Sequence, residues 1–384
     1  MLDQRFSNAM LDTSRDFPPL AIRRVDVFSI ALPLLTPILM ASVKVTQSEN
    51  LLVRLEAADG QVGWGEASAA PMMTGDTLAG MTFAAGMLTP LLTGQDAVRR
   101  AVLVERCMQV LRDNYSAVAA VDMALLDLTG RHFGMPVCDL LGGVLRDRMQ
   151  ALFLLGNKTV EEDIAEALAK QREGARFFKI KVGVNPIAED ISRVLELRQA
   201  LGPEVKLCAD ANMGFKFENA RRFVTDVVNA NLLFLEQPFG KHDLKQASEL
   251  ARLSPVALGA DEGIASVGDL VEHQRAGAAV GAALKTIKLR GVVATARAAI
   301  VCQALGLAVN LSSKMGETSI GSAGLLHIGA SLADTAWGMC PTCHHLAVDI
   351  VKNPVRAEAG MFALPPGPGL GVEIDEAAVE RYRV

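Results

Sequence analysis

The sequence predicts an α/β protein: a modified (β/α)8 barrel with a smaller α+β domain capping it. Three observations carry this expectation. Charged residues recur at a regular step, Lys181, Asp210, Glu236, Asp261 and Lys285, with intervals of 29, 26, 25 and 24 residues. A strand, a helix and two loops need about 30 residues. Each charged position also follows or interrupts a short apolar run: Phe177-Phe178, Leu207-Cys208-Ala209, Leu232-Leu233-Phe234-Leu235, Leu258-Gly259-Ala260 and Ala282-Ala283-Leu284. Runs of this kind read as buried parallel strands. Finally, 384 residues are too many for one ordinary domain and suit a barrel with a partner. The charges then fall at the C-terminal ends of successive strands, where such barrels carry their chemistry.

Taken in order, residues 1–20 mix Asp, Arg, Ser and Pro without an apolar stretch and read as a loose tail, not a secretory signal. Residues 21–145 read as the capping domain. Its first part is an antiparallel meander: an alternating strand at 22–32, a second at 51–55, and a third at 62–66. Asp59-Gly60 marks the hairpin turn between the last two. The period becomes helical from 77 to 133, most clearly at 117–133, and Gly134-Met135-Pro136 stops that helix. Residues 146–355 read as the barrel. Residues 151–155 give its first strand, 307–311 its seventh, and the apolar run at 346–348 its eighth. Helices fit at 159–173, 186–201, 217–229, 243–252, 266–276 and 292–305. The turn-rich run Pro365-Pro366-Gly367-Pro368-Gly369 opens a C-terminal segment, 356–384, expected to return to the capping domain.

Composition narrows the function. Half of the residues are hydrophobic, so a large core is available. The net charge is −5 and no basic patch stands out, which argues against nucleic acid as a partner. No apolar run reaches the roughly 18 residues of a membrane span. The six cysteines sit mostly in apolar stretches, as free core cysteines of a cytoplasmic protein do.

The ladder itself implies a chemistry. Asp210, Glu236 and Asp261 converging from adjacent strands would crowd three negative charges into one pocket, which demands a cation. All-oxygen donors without His or Cys favour Mg²⁺, or Mn²⁺, over zinc. Lys179 and Lys181 stand two apart, so on a strand they share one face. At ~5 Å and an effective dielectric near 20, two ammonium groups repel by about 3 kcal/mol, enough to bring one toward a general base. Lys285 arrives from the other side. A divalent ion between opposed lysines suits removal of a proton from a carbon next to a carboxylate, with the metal stabilising the resulting enediolate. A single Asp, Glu or Lys is ordinarily a solvated charge; it is the six together that speak against that reading.

These residues resemble the enolase superfamily, in the muconate-lactonizing (muconate cycloisomerase) subgroup of the mandelate racemase/muconate lactonizing enzyme family. The likeness runs from about residue 22 to 375. It rests on Gly63-Trp64-Gly65-Glu66, the stretch from Ala120 to Asp127, Leu140-Leu141-Gly142-Gly143, the Lys-x-Lys pair, Asp210-Ala211-Asn212, Glu236-Gln237-Pro238, Asp261-Glu262, Lys285, Met315-Gly316-Glu317-Thr318-Ser319-Ile320-Gly321 and Pro368-Gly369-Leu370-Gly371. It implies Asp210, Glu236 and Asp261 as Mg²⁺ ligands, Lys181 as acid/base tuned by Lys179, and Lys285 as its opposed lysine. Lys285 is preferred to Lys288 because the family's Lys-x-x-x-x-Gly-Gly places it so, and Lys288 reads as a helix-start or rim charge. Asn212, Glu262 and Glu317 would support the ligands. The resemblance further implies a small carboxylate substrate and a homo-oligomer, a dimer or octamer. Cycloisomerisation leads, with racemisation or epimerisation of an amino-acid derivative and dehydration as alternatives; a metal-free binding barrel is the non-enzymatic rival.

Specificity in this family comes from cap loops, here 34–48 and 69–77. Ser42, Lys44, Met72, Met73 and Thr74 would face the substrate. The eighth strand, by the same likeness, begins near 337–340, so Met339 and Cys340 join that group. Two departures from the family pattern stand out. Arg290-Gly291 replaces the usual Gly-Gly, and the eighth strand carries neither the acidic residue of muconate cycloisomerases nor the Asp-x-Asp of dipeptide epimerases. Cys340-Pro-Thr-Cys343-His344 matches a haem-attachment spacing, but a strand-end loop near the pocket is the preferred reading over a haem, redox or metal site.

Overall fold

A computed structural model describes residues 20–40, 43–156 and 158–384. The tail of 1–19 and Ser42 lie outside the described residues. The first sheet is antiparallel, with β1 (Ile22–Met40), β2 (Val43–Ala57) and β3 (Val62–Ser68) in that order. Asp59 Oδ1 accepts the Gln61 amide at 3.0 Å and closes the β2–β3 turn. Helices α1 (Leu78–Leu92), α2 (Arg100–Val110), α3 (Tyr115–Phe133) and the short α4 (Val137–Leu140) complete this part. The two glycines of Gly63-Trp64-Gly65-Glu66 explain how α3 lies flush on the sheet. A Cβ at Gly63 would stand 2.4 Å from the Leu128 amide nitrogen, and one at Gly65 2.0 Å from the Ala120 carbonyl. Strand and helix meet backbone to backbone, which only glycine permits.

The region expected as a cap loop, 34–48, is largely strand. β1 continues past Pro33 after a register shift between Pro33 and Ile38, and β2 starts at Val43. Proline ends a regular ladder but is compatible with such an irregularity, after which pairing resumes.

β4 (Arg148–Gln150) leads into the barrel. Its eight parallel strands are β5 (Phe153–Leu155), β6 (Phe177–Lys181), β7 (Lys206–Asp210), β8 (Leu235–Glu236), β9 (Leu258–Ala260), β10 (Gly281–Leu284), β11 (Ala308–Ser312) and β12 (Met339–Cys340), hydrogen-bonded in sequence order. The ring is nearly closed: the Leu152 amide donates to the Met339 carbonyl at 2.7 Å. The eighth strand is therefore at 339–340, not at 346–348. The Ala347 amide instead donates to the Pro33 carbonyl, tying this segment to the first sheet.

Between the strands run α5 (Val160–Arg172), α6 (Ile187–Leu201), α7 (Phe217–Asp226), α8 (Leu244–Leu253), α9 (Val267–Ala276), α10 (Val292–Ala304) and α11 (Ser319–Ala330). Three of them carry side-chain caps, from Thr159 on α5, Ser266 on α9 and Thr318 on α11, and Thr159 with Glu162 forms a capping box. The barrel interior below the site is filled by Leu152, Phe177, Cys208, Phe234, Trp337 and Cys340. Trp337 stacks on Phe234 with ring centroids 3.8 Å apart. Gly259 and Gly281 make room for it; a Cβ at Gly281 would lie 2.4 Å from the indole.

The chain then forms β13 (Ala357–Glu358) and β14 (Met361–Ala363), which pair with β4, and α12 (Glu376–Arg381). Its end pairs with β1: the Ala31 amide donates to Tyr382 and the Val384 amide to Ser29. Among the described residues no helix is long and apolar enough to cross a membrane.

Candidate active site

The parallel register builds the site. Lys181 stands opposite Asp210, and Asp210 opposite Glu236. Glu236 pairs with Gly259, and Asp261 lies two residues further on the same face. Lys179 shares the inward face with Lys181, while Ile180 between them joins the main core outside the barrel interior. The three carboxylates thus form a row across β7, β8 and the end of β9, flanked by lysines from β6 and from just beyond β10.

Each carboxylate is taken by lysine. Lys179 Nζ donates to Glu236 Oε2 at 2.5 Å, and Lys181 Nζ to Asp210 Oδ2 at 2.6 Å. Lys285 Nζ donates to Asp261 Oδ2, and Lys288 Nζ to Asp261 Oδ1 at 2.6 Å. Lys288 is not the rim charge expected of it. It is buried, and it also donates to the Asp261 and Ala283 carbonyls. The turn that starts at Lys285 folds it back under the site: the Lys288 amide donates to the Lys285 carbonyl at 3.2 Å.

Supporting contacts fix the row. Asn212 accepts from Lys181 at 2.6 Å and donates to Glu262 Oε1 at 3.0 Å. Its amide donates to Asp210 Oδ1 at 3.0 Å, which its left-handed φ of 39° allows. Gln237, also at φ 39°, accepts the Asp261 amide at 2.8 Å and the Gly263 amide at 3.1 Å. Two non-glycine residues in this region, each directly after or next but one to a carboxylate, cost roughly 1 kcal/mol apiece. Gln237 lay within a motif read from the sequence, but its bridging role did not.

Burial and charge compete at every group. At Lys179 burial works to lower the pKa, yet Glu236 and Asp210 outweigh it and hold the ammonium well above its usual range. Lys285 is raised against burial by Asp261, Glu262 and Glu236. Lys288 is lowered, chiefly by burial and then by Lys285 in spite of Asp261. Glu236 is pushed up by burial, with Asp210 and Asp261 adding to it against the pull of Lys179. Asp210 and Asp261 are pulled down against burial, by Lys181 with Lys179 and by Lys285 with Lys288 respectively. The three carboxylates therefore sense one another as one cluster.

Glu317 is buried beside the row; its Oε1 accepts the Lys314 amide at 2.9 Å. Glu66, from β3, caps α11 by accepting the Thr318 and Gly321 amides at 2.8 and 2.7 Å. Glu66 lay within a motif read from the sequence, but its capping role did not; Lys314 was not singled out at all and looks there like any isolated charge.

Among the described residues the specificity candidates are not brought together. Met339 turns out of the barrel onto α11, where a Cβ at Gly329 would meet its sulfur at 2.4 Å. Cys340 points inward, with Lys179 and Lys181 among the charges it faces. Met73 packs on the core of the first sheet and its helices, Met72 is exposed, and Thr74 bonds the Ala70 carbonyl within its own turn. The main chain of Lys44 lies in β2, paired with Leu39. Cys340 and Cys343 are both free and buried, and Cys343 Sγ donates to the Val355 carbonyl at 3.3 Å.

The carboxylate row lies at the C-terminal ends of the barrel strands, and comparison with known proteins supplies the family. Residues 22–142 match the family described as mandelate racemase / muconate lactonizing enzyme, N-terminal domain. Residues 162–378 match the enolase C-terminal domain-like family. The chain belongs to the mandelate racemase / muconate lactonizing enzyme family of the enolase superfamily. Within it the likeness is to the muconate-lactonizing subgroup. Muconate cycloisomerase 1 of Rhodococcus opacus is 31% identical over 94% of this chain and 98% of its own. L-Ala-D/L-Glu epimerase of Bacillus subtilis is 29% identical over 91% and 96%. The crystal structure of muconate lactonizing enzyme from Pseudomonas fluorescens complexed with muconolactone superposes with a TM-score of 0.91 at 28% identity, covering 96% of this chain and all of that one. The family member described here is an enzyme of this superfamily, and these relatives are isomerases.

Proposed function

We propose that the protein removes a proton from the carbon next to a carboxylate, with Mg²⁺ or Mn²⁺ as cofactor, as a muconate-cycloisomerase-like enzyme. The observation that carries this is the bracket: Lys181 and Lys285 end strands on either side of one carboxylate row, and each reaches a different member of it. In this reading residues 21–145 cap the barrel of 146–355.

The donor set fits a hard divalent cation: three buried carboxylates that raise one another's proton affinity. Among the described residues no three such groups are already arranged around one point. Lys179, Lys181, Lys285 and Lys288 balance part of the row's charge. Asp210, Glu236 and Asp261 would hold the ion, which would supply Lewis-acid stabilisation of the enediolate. Lys181 holds or takes the proton of the α-carbon. Lys285 faces the same carbon from the other side, as cation or as second acid/base. Lys179, fully charged, keeps Glu236 in place.

For cycloisomerisation, one lysine delivers a proton to the carbon as a carboxylate oxygen of the substrate closes onto its double bond. The reverse direction takes that proton back as the carbon–oxygen bond breaks. A second reading, epimerisation of an amino-acid derivative, draws on the same bracket, since two lysines on opposite faces allow removal on one side and return on the other.

Proton NMR in D₂O with Mg²⁺ tests both. The panel is cis,cis-muconate, N-acylamino acids, dipeptides and proline derivatives. Loss of muconate vinyl signals to a lactone supports the first reading, and deuterium at an α-carbon of a chiral acid supports the second. Neither signal, together with no Mg²⁺ binding, would sink the proposal in favour of a non-catalytic barrel.

A further inference from the structure

Four lysines at the barrel mouth have carboxylate partners; a fifth does not. Lys314 lies two residues beyond β11. Its amide donates to Glu317 Oε1 at 2.9 Å, and its carbonyl accepts from Thr342 Oγ1 at 2.6 Å and from the Glu317 amide at 3.1 Å. The next two residues are held by the capping sheet. Ser48 Oγ donates to the Met315 carbonyl at 3.3 Å, and Asn50 Nδ2 to the Gly316 carbonyl at 3.0 Å. Lys314 is therefore fixed at the seam where cap and barrel meet.

Its side chain is partly buried and faces Glu317, Lys285 and Lys181. Yet among the described residues Nζ makes no hydrogen bond and no ion pair within 4.0 Å. The same lysines that bracket the carboxylate row thus have Lys314 as a neighbour. Burial, the largest influence, lowers its pKa to about 8, helped by Lys285 and Lys181 and opposed by Glu317. A sheltered ammonium without a partner is costly unless an anion completes it. A solvated surface lysine would not be held beside the buried Glu317 and Lys285 and the half-buried Lys181.

We propose that Lys314 binds a second anionic group of the substrate, so that this site selects dianionic acids over monoanionic ones. The assignment rests on the reading above, in which a first carboxylate lies over the row between Lys181 and Lys285. The second group then points along the mouth toward β11 and the cap, and Lys314 closes an ion pair with it. It is a specificity-determining residue for either isomerisation, and it comes from the seventh strand end and not from the cap loops.

Isothermal titration of the full chain, loaded with Mg²⁺, with adipate and with hexanoate tests this. The two probes have the same carbon skeleton length and differ in one carboxylate. The wild type is expected to prefer adipate. Lys314→Met should weaken adipate by about 10- to 100-fold, the range of one charge-assisted hydrogen bond, and leave hexanoate unchanged. Lys314→Arg should restore most of the difference. Equal weakening of both probes, or a wild type without preference for adipate, would overturn the assignment. A protein that prefers adipate but exchanges no α-proton for deuterium in any acid would instead sink the proposed reaction and leave Lys314 as an anion site.

Discussion

Glu66 of the capping sheet and Glu317 of the barrel bring their carboxylates together above Gly321, where an added carbon would stand 3.1 Å from Glu66 Oε2 and 2.8 Å from Glu317 Oε2. Both groups are buried. Burial first, and then Glu317, push Glu66 up to about 8, against the bonds from Thr318 and Gly321. Burial pushes Glu317 up to about 7, against the Lys314 amide and neighbouring cations.

This pair makes stability depend on pH. Below the ordinary value of 4.5 both folded and unfolded chains carry these protons, and the pair contributes nothing to the slope. Between 4.5 and about 8 the unfolded chain has released them while the folded one retains them. Stability therefore falls as pH rises through that window, by on the order of a few kcal/mol. Urea denaturation from pH 5 to 9 measures it. Glu317→Gln removes one charge and can donate to Glu66, so the decline should become shallower; equal slopes in both proteins would refute the coupling.

Lys288 and Lys285 should separate in their effects. Removing Lys285 leaves Asp261 with Lys288. Removing Lys288 strips donors from the Asp261 and Ala283 carbonyls as well as from the carboxylate. Lys288→Ala is expected to lose about 3 kcal/mol or more of stability, and Lys285→Ala distinctly less. Denaturant midpoints of the two variants decide it, and the reverse order would contradict this division.

Turnover should follow the bracket. Lys181→Ala and Lys285→Ala should each lower the rate by about 10² to 10⁴-fold or more while circular dichroism stays that of the parent. Retained turnover in both single variants would remove the mechanism.

Mg²⁺ should stabilise the folded chain. At a hundred times its dissociation constant the gain is about 2.7 kcal/mol, read as a rise in melting temperature over the chelated protein. Glu236→Gln and Asp261→Asn should each diminish that rise; an unchanged rise in both would place the ion elsewhere.

Arg290 stands where the family pattern has glycine, at φ 71°. Its guanidinium lies 4.3 Å from the Tyr115 ring centre and donates to the Tyr115 hydroxyl at 2.9 Å. These contacts offset a left-handed backbone costing about 1 kcal/mol. Arg290→Ala keeps the strain and loses the contacts, whereas Arg290→Gly loses both. The glycine variant should be the more stable of the two by about 1 kcal/mol in thermal denaturation.

Some of this was readable in the sequence and some was not, for physical reasons. Lys181, Asp210, Glu236, Asp261 and Lys285 were legible because each closes an apolar run at a repeating interval. Lys288 was not, since a tight turn rather than a strand delivers it. Helix α11 was also hidden: every one of its 12 residues is buried, so no polar face marks a helical period. Met339 and Cys340 form a strand of two residues, too short for alternation to say which points inward. The apolar run at 346–348 resembled a strand more than they did. The alternation that marks the first strand stops at 32, although pairing in the hairpin resumes beyond Pro33 at Ile38. Lys314 carried no periodic signal at all, and only its surroundings distinguish it from a solvated charge.

Trp337 has one more consequence. Stacked on Phe234 and seated over Gly259 and Gly281, it stoppers the floor of the barrel. Among the described residues the barrel is in effect a flask closed at its floor. What enters from the carboxylate end cannot pass that floor and leaves by the end it entered. Reactant and product then compete for the same end of the barrel.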